Sequence, residues 1–316
     1  MAVAHLPEPS PAFLDALHDC LLRWFQAEQR DLPWRRTTDP YQILVSEVML
    51  QQTQVARVVP KFREFIARFP TLESLAAAPP AEVIRAWQGL GYNRRAVRLH
   101  AMARQMVERW GRVPEDLADL LSLEGVGRYT AAAVAAFAYG AQAAAVDTNV
   151  RRVVGRLVLG SEAAAPSGRR LEALAERLLP PGRARQWNAA LMDLGALVCV
   201  AGRPRCEACP AAGLCRARAV GWEGGAVAAE RRPRRVAEAP ARYQGSTRYY
   251  RGRIVEALRA LPAGASLDVE SLGRRVREDF CPEHRAWLEG LVRGLERDGL
   301  LQVARDGDGG PWVCLP

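Results

Sequence analysis

Two glycines one residue apart, set between a leucine pair and an alanine-rich run, restrict this chain more than any other feature of it. The stretch 123–150 begins Leu123-Glu124-Gly125-Val126-Gly127-Arg128-Tyr129-Thr130, continues through the alanine-rich residues 131–138 and ends Val146-Asp147-Thr148-Asn149-Val150. Glycine breaks a helix and alanine promotes one, so this order predicts a tight hairpin joining two helices. Gly125 and Gly127 carry no side chain, so a phosphate oxygen can approach their amides. The dipole of the following helix adds positive potential there, beside Arg128. Asp147 precedes a further helical run and reads first as its N-cap; a carboxylate in that position is also a candidate for chemistry.

Around this hairpin the chain reads as a series of helices. Apolar positions at helical spacing (Phe13, Leu14, Leu17, Leu21, Leu22, Phe25) predict a helix over 11–29. Asp39-Pro40 opens a second, predicted to run to residue 55, in which Glu47, Gln51, Gln52 and Gln54 sit among Ile43, Leu44, Val48 and Leu50. These polar residues suit either a solvated face or the lining of a cleft. Further helices are expected at 59–69, 72–77, 81–88, 93–110, 169–179 and 183–197, with no convincing strand among them. Gly89-Leu90-Gly91-Tyr92-Asn93-Arg94-Arg95 forms a second glycine-bracketed turn, with an aromatic at its tip suited to wedging between stacked bases or to ordinary packing. Residues 1–221 therefore read as one all-α domain. A stretch rich in Gly, Ala, Pro, Glu and Arg over 222–245 reads as a linker. Beyond it, helices at 250–261, 267–280 and 285–298 and a hairpin through 299–315 predict a winged-helix-like domain over 246–316, a fold that binds DNA or another protein surface.

Charge and cysteine usage narrow the function. The net charge is +9 and the isoelectric point near 9.6, a balance suited to a polyanionic partner. Of the 44 basic residues only Lys61 is lysine. Arginine holds phosphate but supplies no neutral amine, so Schiff-base chemistry has almost no source. Cys199, Cys206, Cys209 and Cys215 fall within one short basic segment that includes Arg203 and Arg205. Four thiols this close in an intracellular chain indicate metal rather than disulfides. Their number suits zinc, and their uneven single run, unlike paired Cys-x-x-Cys knuckles, points to a [4Fe–4S] cluster. No apolar run reaches the ~18 residues of a membrane span, and the first residues lack the pattern of a signal peptide. A cytoplasmic protein is expected.

With these segments in their order, the chain resembles the helix-hairpin-helix DNA glycosylases, and within them the adenine DNA glycosylase (MutY) family. The resemblance covers roughly 32–215 and rests on Leu32-Pro33-Trp34, Ser46-Glu47-Val48-Met49-Leu50-Gln51-Gln52-Thr53-Gln54-Val55, Gly89-Leu90-Gly91-Tyr92, the hairpin, Val146-Asp147-Thr148-Asn149-Val150 and the four cysteines. It implies base excision repair: removal of adenine mispaired with 8-oxoguanine or guanine from a flipped nucleotide in double-stranded DNA. It implies Glu47 as the acid that protonates adenine and Asp147 as the carboxylate facing the sugar, with Tyr129 and Asn149 in support. Gln51, Gln52, Tyr92, Gly125, Gly127, Arg128, Arg203 and Arg205 are then expected at DNA, and the cysteines as cluster ligands. A monomer associated with a bacterial nucleoid is expected.

The chemistry makes matching demands. Adenine leaves only once a ring nitrogen is protonated, and the sugar cation left behind needs an ionised carboxylate. A thymine or damaged-pyrimidine glycosylase of the same fold is the alternative enzyme, and a non-catalytic cluster-bearing DNA-binding protein the alternative outside enzymes. Two departures from the family stand out. The winged-helix-like segment takes the place of a larger β-rich domain that reads 8-oxoguanine, and Asn93 and Arg94 replace the aromatic and small residues more usual after the wedge tyrosine.

Overall fold

The computed structural model describes residues 8–161, 168–221, 243–305 and 311–316. Most of the expected linker and the turn of the C-terminal hairpin, 306–310, lie outside the described residues. In chain order the helices are α1 (Pro11–Glu28), α2 (Pro40–Leu50), α3 (Val55–Arg68), α4 (Leu72–Ala77), α5 (Pro80–Ala86) and α6 (Arg94–Trp110). Then come α7 (Leu117–Ser122), α8 (Arg128–Tyr139), α9 (Thr148–Leu159), α10 (Arg169–Arg177), α11 (Ala184–Leu197) and α12 (Arg216–Ala219). The remainder is α13 (Thr247–Arg259), β1 (Leu267–Asp268), α14 (Val269–Val276), α15 (Arg285–Arg297), β2 (Gln302–Arg305) and β3 (Pro311–Cys314). The body is helical as expected. Among the described residues no helix is long and apolar enough to cross a membrane.

Two units emerge from the contacts: Met1–Leu44 with Pro114–Arg234, and Val45–Val113 with Arg235–Pro316. In the first, the apolar stripe of α1 (Leu17, Leu21) packs on Val150 and Val154 of α9 and on Trp187, Leu191 and Leu194 of α11. Each such side chain contributes about 1.5–3 kcal/mol on burial. Asp193 of α11 is fully buried and receives Arg30 at 2.6 Å and Arg35 at 2.7 Å. Burial opposes its charge, yet the two guanidiniums outweigh that and hold the carboxyl below its ordinary range. This ion triad ties the Pro33-Trp34 segment to α11.

In the second unit, α4 packs on α6, and Phe65 of α3 meets the fully buried Trp87 edge to face at 5.9 Å. Residues 246–316 form the helix-strand-helix-helix-strand-strand order of a winged helix, with antiparallel strands in the order β1-β3-β2. Ile254, Leu258, Leu272, Leu288, Leu295 and Val313 make its core, which continues onto Ile84 of α5.

Local chemistry explains where the elements depart from expectation. The second helix does not reach residue 55: α2 stops at Leu50, Gln52 takes a left-handed backbone (φ 56), and α3 starts afresh at Val55. Gln51, Gln52 and Gln54 consequently lie on a turn and its edge rather than on one helical face. The segment 267–280 is not helical from its start, because the Asp268 carboxylate caps α14 by accepting from Ser271 N–H at 2.8 Å. That cap needs extended backbone, and Leu267 pairs with Val313.

Candidate functional site

Asp147 is the N-cap of α9, as its sequence position predicts. Its Oδ1 accepts from Val150 N–H at 2.7 Å and its Oδ2 from Asn149 Nδ2 at 2.8 Å. An ionised carboxylate has about four acceptor sites, so capping leaves it capacity for a substrate. Asn149 in turn accepts through Oδ1 from Arg152 Nη2 at 2.8 Å, and the buried Arg152 also donates to the carbonyls of Gly195 and Cys199, both at 2.7 Å. A Cβ on Gly195 would lie 2.7 Å from Asn149 Cβ, so α11 passes α9 at a distance that only glycine permits. Asp147 and Asn149 are thus brought together and held from behind. Tyr129, half-buried at the start of α8, packs on Ala132, Ala133 and Ala145.

At the hairpin, Gly125 takes φ 89, and Gly127, in extended backbone, caps α8. Both are exposed, as is Arg128, which pairs with Glu172 at 2.9 Å. Val126 between them is buried and anchors the turn.

The four cysteines line one cavity, together with Arg156, Val198, Arg205 and Arg218. Arg156 donates to Cys199 Sγ at 3.4 Å and to the Val200 carbonyl at 2.8 Å. Burial raises the Cys199 thiol, and pushes that of Cys209 up to about 12, so a cation in the cavity is needed to keep these sulfurs as thiolates. Among the described residues no three Cys, His, Asp or Glu side chains converge as they would around a single ion. Four thiols on one cavity are a donor set that fits either a zinc ion or an iron–sulfur cluster. Arg205 lies on the lining of this cavity; Arg203 is exposed.

In the second unit, Glu47 on α2 is 4 % exposed, flanked by the buried Val45, Ser46, Val48 and Met49. Gln52 and Tyr92 are the two non-glycine residues with left-handed backbone among the described residues, at φ 56 and φ 46. One side chain joins their turns. Arg95 makes six hydrogen bonds of 2.5–3.2 Å, to the carbonyls of Val48, Met49, Gln51, Leu90 and Gly91 and to Thr53 Oγ1. Burial lowers its guanidinium to about 10, leaving it charged at neutral pH. Trp87 Nε1 adds a bond to the Gly91 carbonyl at 3.2 Å. Gln51 contributes its carbonyl here rather than its amide.

Sequence reasoning missed Arg95, Arg152 and Arg156. Each is a buried arginine on a helix whose partners are mainly main-chain carbonyls, and its one visible signal was a charge on an otherwise apolar face.

Residues 45–181 match the HhH-GPD superfamily of base excision DNA repair proteins. The chain is 46 % identical over 295 residues to the adenine DNA glycosylase of Mycolicibacterium smegmatis, covering 92 % of this chain and 97 % of that one. A match of that length necessarily runs into the C-terminal module. Among solved structures, a thermostable thymine-DNA glycosylase superposes with a TM-score of 0.62 at 34 % identity, covering 66 % of this chain and 98 % of its own. A trapped endonuclease III–DNA covalent intermediate gives 0.57 at 26 %, with 66 % and 98 % covered.

Proposed function

The chain belongs to the adenine DNA glycosylases of the HhH-GPD superfamily, and on that premise we propose that it excises adenine paired with 8-oxoguanine or guanine and leaves an intact strand with an abasic site. The observation that carries the reading is Glu47, a carboxyl buried in an apolar stretch of α2. A carboxyl held out of bulk water is the kind of group that delivers a proton to a leaving purine. Asp147 is the carboxylate for the oxocarbenium-like sugar, which it stabilises electrostatically while Asn149 holds its orientation. Tyr129 packs beside the Ala145 approach to that carboxylate. Exposed amides at Gly125 and Gly127, with Arg128, take backbone phosphate, and Gln52 and Tyr92 fill the space a flipped nucleotide leaves.

Cys199, Cys206, Cys209 and Cys215 would hold a [4Fe–4S] cluster. When bound, the cluster supplies a rigid anchor for the basic loop carrying Arg203 and Arg205. The enzyme acts as a monomer in the bacterial cytoplasm. The single lysine, Lys61, pairs with Glu64 at 2.6 Å on α3, which supports base removal without strand cleavage.

The likeness to a thymine-DNA glycosylase makes thymine the competing base. Single-turnover assays on duplexes with A opposite 8-oxoguanine, A opposite G and T opposite G separate the two. Adenine release is expected on the first two, with strand breaks only after alkali. Asp147→Asn and Glu47→Gln should each slow release by about 10²- to 10⁴-fold while retaining duplex binding. Faster release of thymine than of adenine, or full activity in either variant, overturns the assignment.

A further inference from the structure

We propose that Arg248, at the start of α13 in the C-terminal module, is a positioning residue for Tyr92: its guanidinium stacks on the tyrosine ring and holds it, with a positive charge alongside, where the duplex has to part. The inference rests on the reading of Tyr92 as a wedge. Left-handed backbone in a tyrosine is costly and persists only where the surroundings over-determine it. Arg95 and Trp87 hold the main chain of the turn, but the side chain of Tyr92 remains 42 % exposed. Two guanidiniums lie over its ring, and that of Arg248, at 4.3 Å from the centre, is nearer than that of Arg95, at 5.5 Å.

The contact is part of a built attachment. The buried Arg259 of α13 donates to Asn93 Oδ1 at 3.0 Å and to the Ile84 carbonyl at 2.9 Å. Gln88 Nε2 donates to Glu256 at 2.9 Å. Arg94 and Arg251 share Asp298. Asn93 and Arg94, the two residues that depart from the family's pattern after the tyrosine, are therefore the points at which this module docks on the turn.

Much of the module's positive charge is paired internally, whereas Arg248 is stacked on aromatic rings. Residues 246–316 contain eleven arginines and eleven carboxylates, so the module as a whole has no net attraction for a polyanion. Arg251, Arg259, Arg274, Arg277 and Arg285 each pair with a carboxylate. Arg248 faces two tyrosine rings, Tyr92 at 4.3 Å and Tyr243 at 5.9 Å. A planar guanidinium against the ring limits its rotamers, and its outer edge stays free for phosphate or base.

The test uses the full chain and a duplex with non-cleavable 2′-fluoroadenosine opposite 8-oxoguanine, with 2-aminopurine flanking the 8-oxoguanine to report unstacking. Arg248→Ala should weaken binding about fivefold and lower the fluorescence rise at saturation. Arg248→Lys, which keeps a cation over the ring, should recover most of both; Arg248→Gln should not. In a Tyr92→Ala background Arg248→Ala should add nothing. Arg274→Ala, on an exposed arginine of the same module, should change neither reading. Unchanged binding and fluorescence in Arg248→Ala, or an equal loss with and without Tyr92, overturns the proposal while leaving the wedge intact. If Tyr92→Ala itself moves neither signal, the wedge reading fails and this inference with it.

Discussion

Gly89-Leu90-Gly91 and Gly125-Val126-Gly127 each place one apolar residue between two glycines just before a helix, yet their backbones are held by different means. In the first, both glycines and the following Tyr92 take left-handed conformations, at φ 87, φ 70 and φ 46, braced from within by Arg95. In the second, only Gly125 is left-handed; Gly127 lies in extended backbone that any residue adopts, and a Cβ there meets no atom within 4 Å. Glycine is required by the chain's own conformation at Gly91. At Gly127 neither conformation nor internal crowding asks for it, and the proposed function supplies a reason: close approach of a phosphate oxygen from outside. One signature thus gives a braced turn with three left-handed residues and an open turn with one.

Four substitutions break or sharpen this contrast. The largest effect is expected from Arg95→Met, which removes the donor shared by five carbonyls, those of Val48, Met49 and Leu90 in buried bonds. It should cost about 3 kcal/mol and lower Tm by about 8 °C, measured by thermal unfolding without DNA. A Tm loss under about 2 °C would mean the wedge turns hold themselves. Gly127→Ser should act in the opposite way. Serine is at least as good an N-cap as glycine, so Tm should hold or rise, while its side chain obstructs the phosphate and weakens duplex binding about tenfold, or about 1.4 kcal/mol. Binding unchanged in titrations against unmodified duplex would remove the hairpin from the interface.

Gly91→Ala has open space for its methyl group but the wrong backbone region, so about 1 kcal/mol and about 3 °C of Tm should be lost from strain alone. A neutral or stabilising alanine would show that the turn relaxes freely. Arg128→Ala should change least. Its ion pair with Glu172 is half exposed and worth under about 1 kcal/mol, so stability should barely move, while the slope of log affinity against log salt falls by about one phosphate contact. A slope equal to that of the parent chain would leave Arg128 as a surface ion pair only.

Much of the fold was legible because it rests on local chemistry. Helical spacing marked α1, alanine and glycine marked the α7–α8 hairpin, and Asp147 announced itself as a cap. The errors came where a distant group overrode a local pattern. Apolar spacing continues past Gln52, yet the second helix ends at Leu50, where Arg95 collects the carbonyls of Val48, Met49 and Gln51. Asn93 and Arg94 looked like simple departures from a pattern, and their role became visible only with Arg259 and Asp298 beside them.

By itself the sequence determined the order of helices and turns, the position of each candidate carboxylate and the four clustered thiols, since these depend on spacing within a few residues. Only the tertiary structure decided what supports them: Arg152 behind Asn149 and Cys199, Arg95 between two turns, Arg248 on Tyr92. The reason is physical. The partners of Arg95 are mostly main-chain carbonyls, over 40 residues away for those of α2 and its end. Every residue carries such a carbonyl, so no pattern of side-chain types marks the ones a buried guanidinium will find.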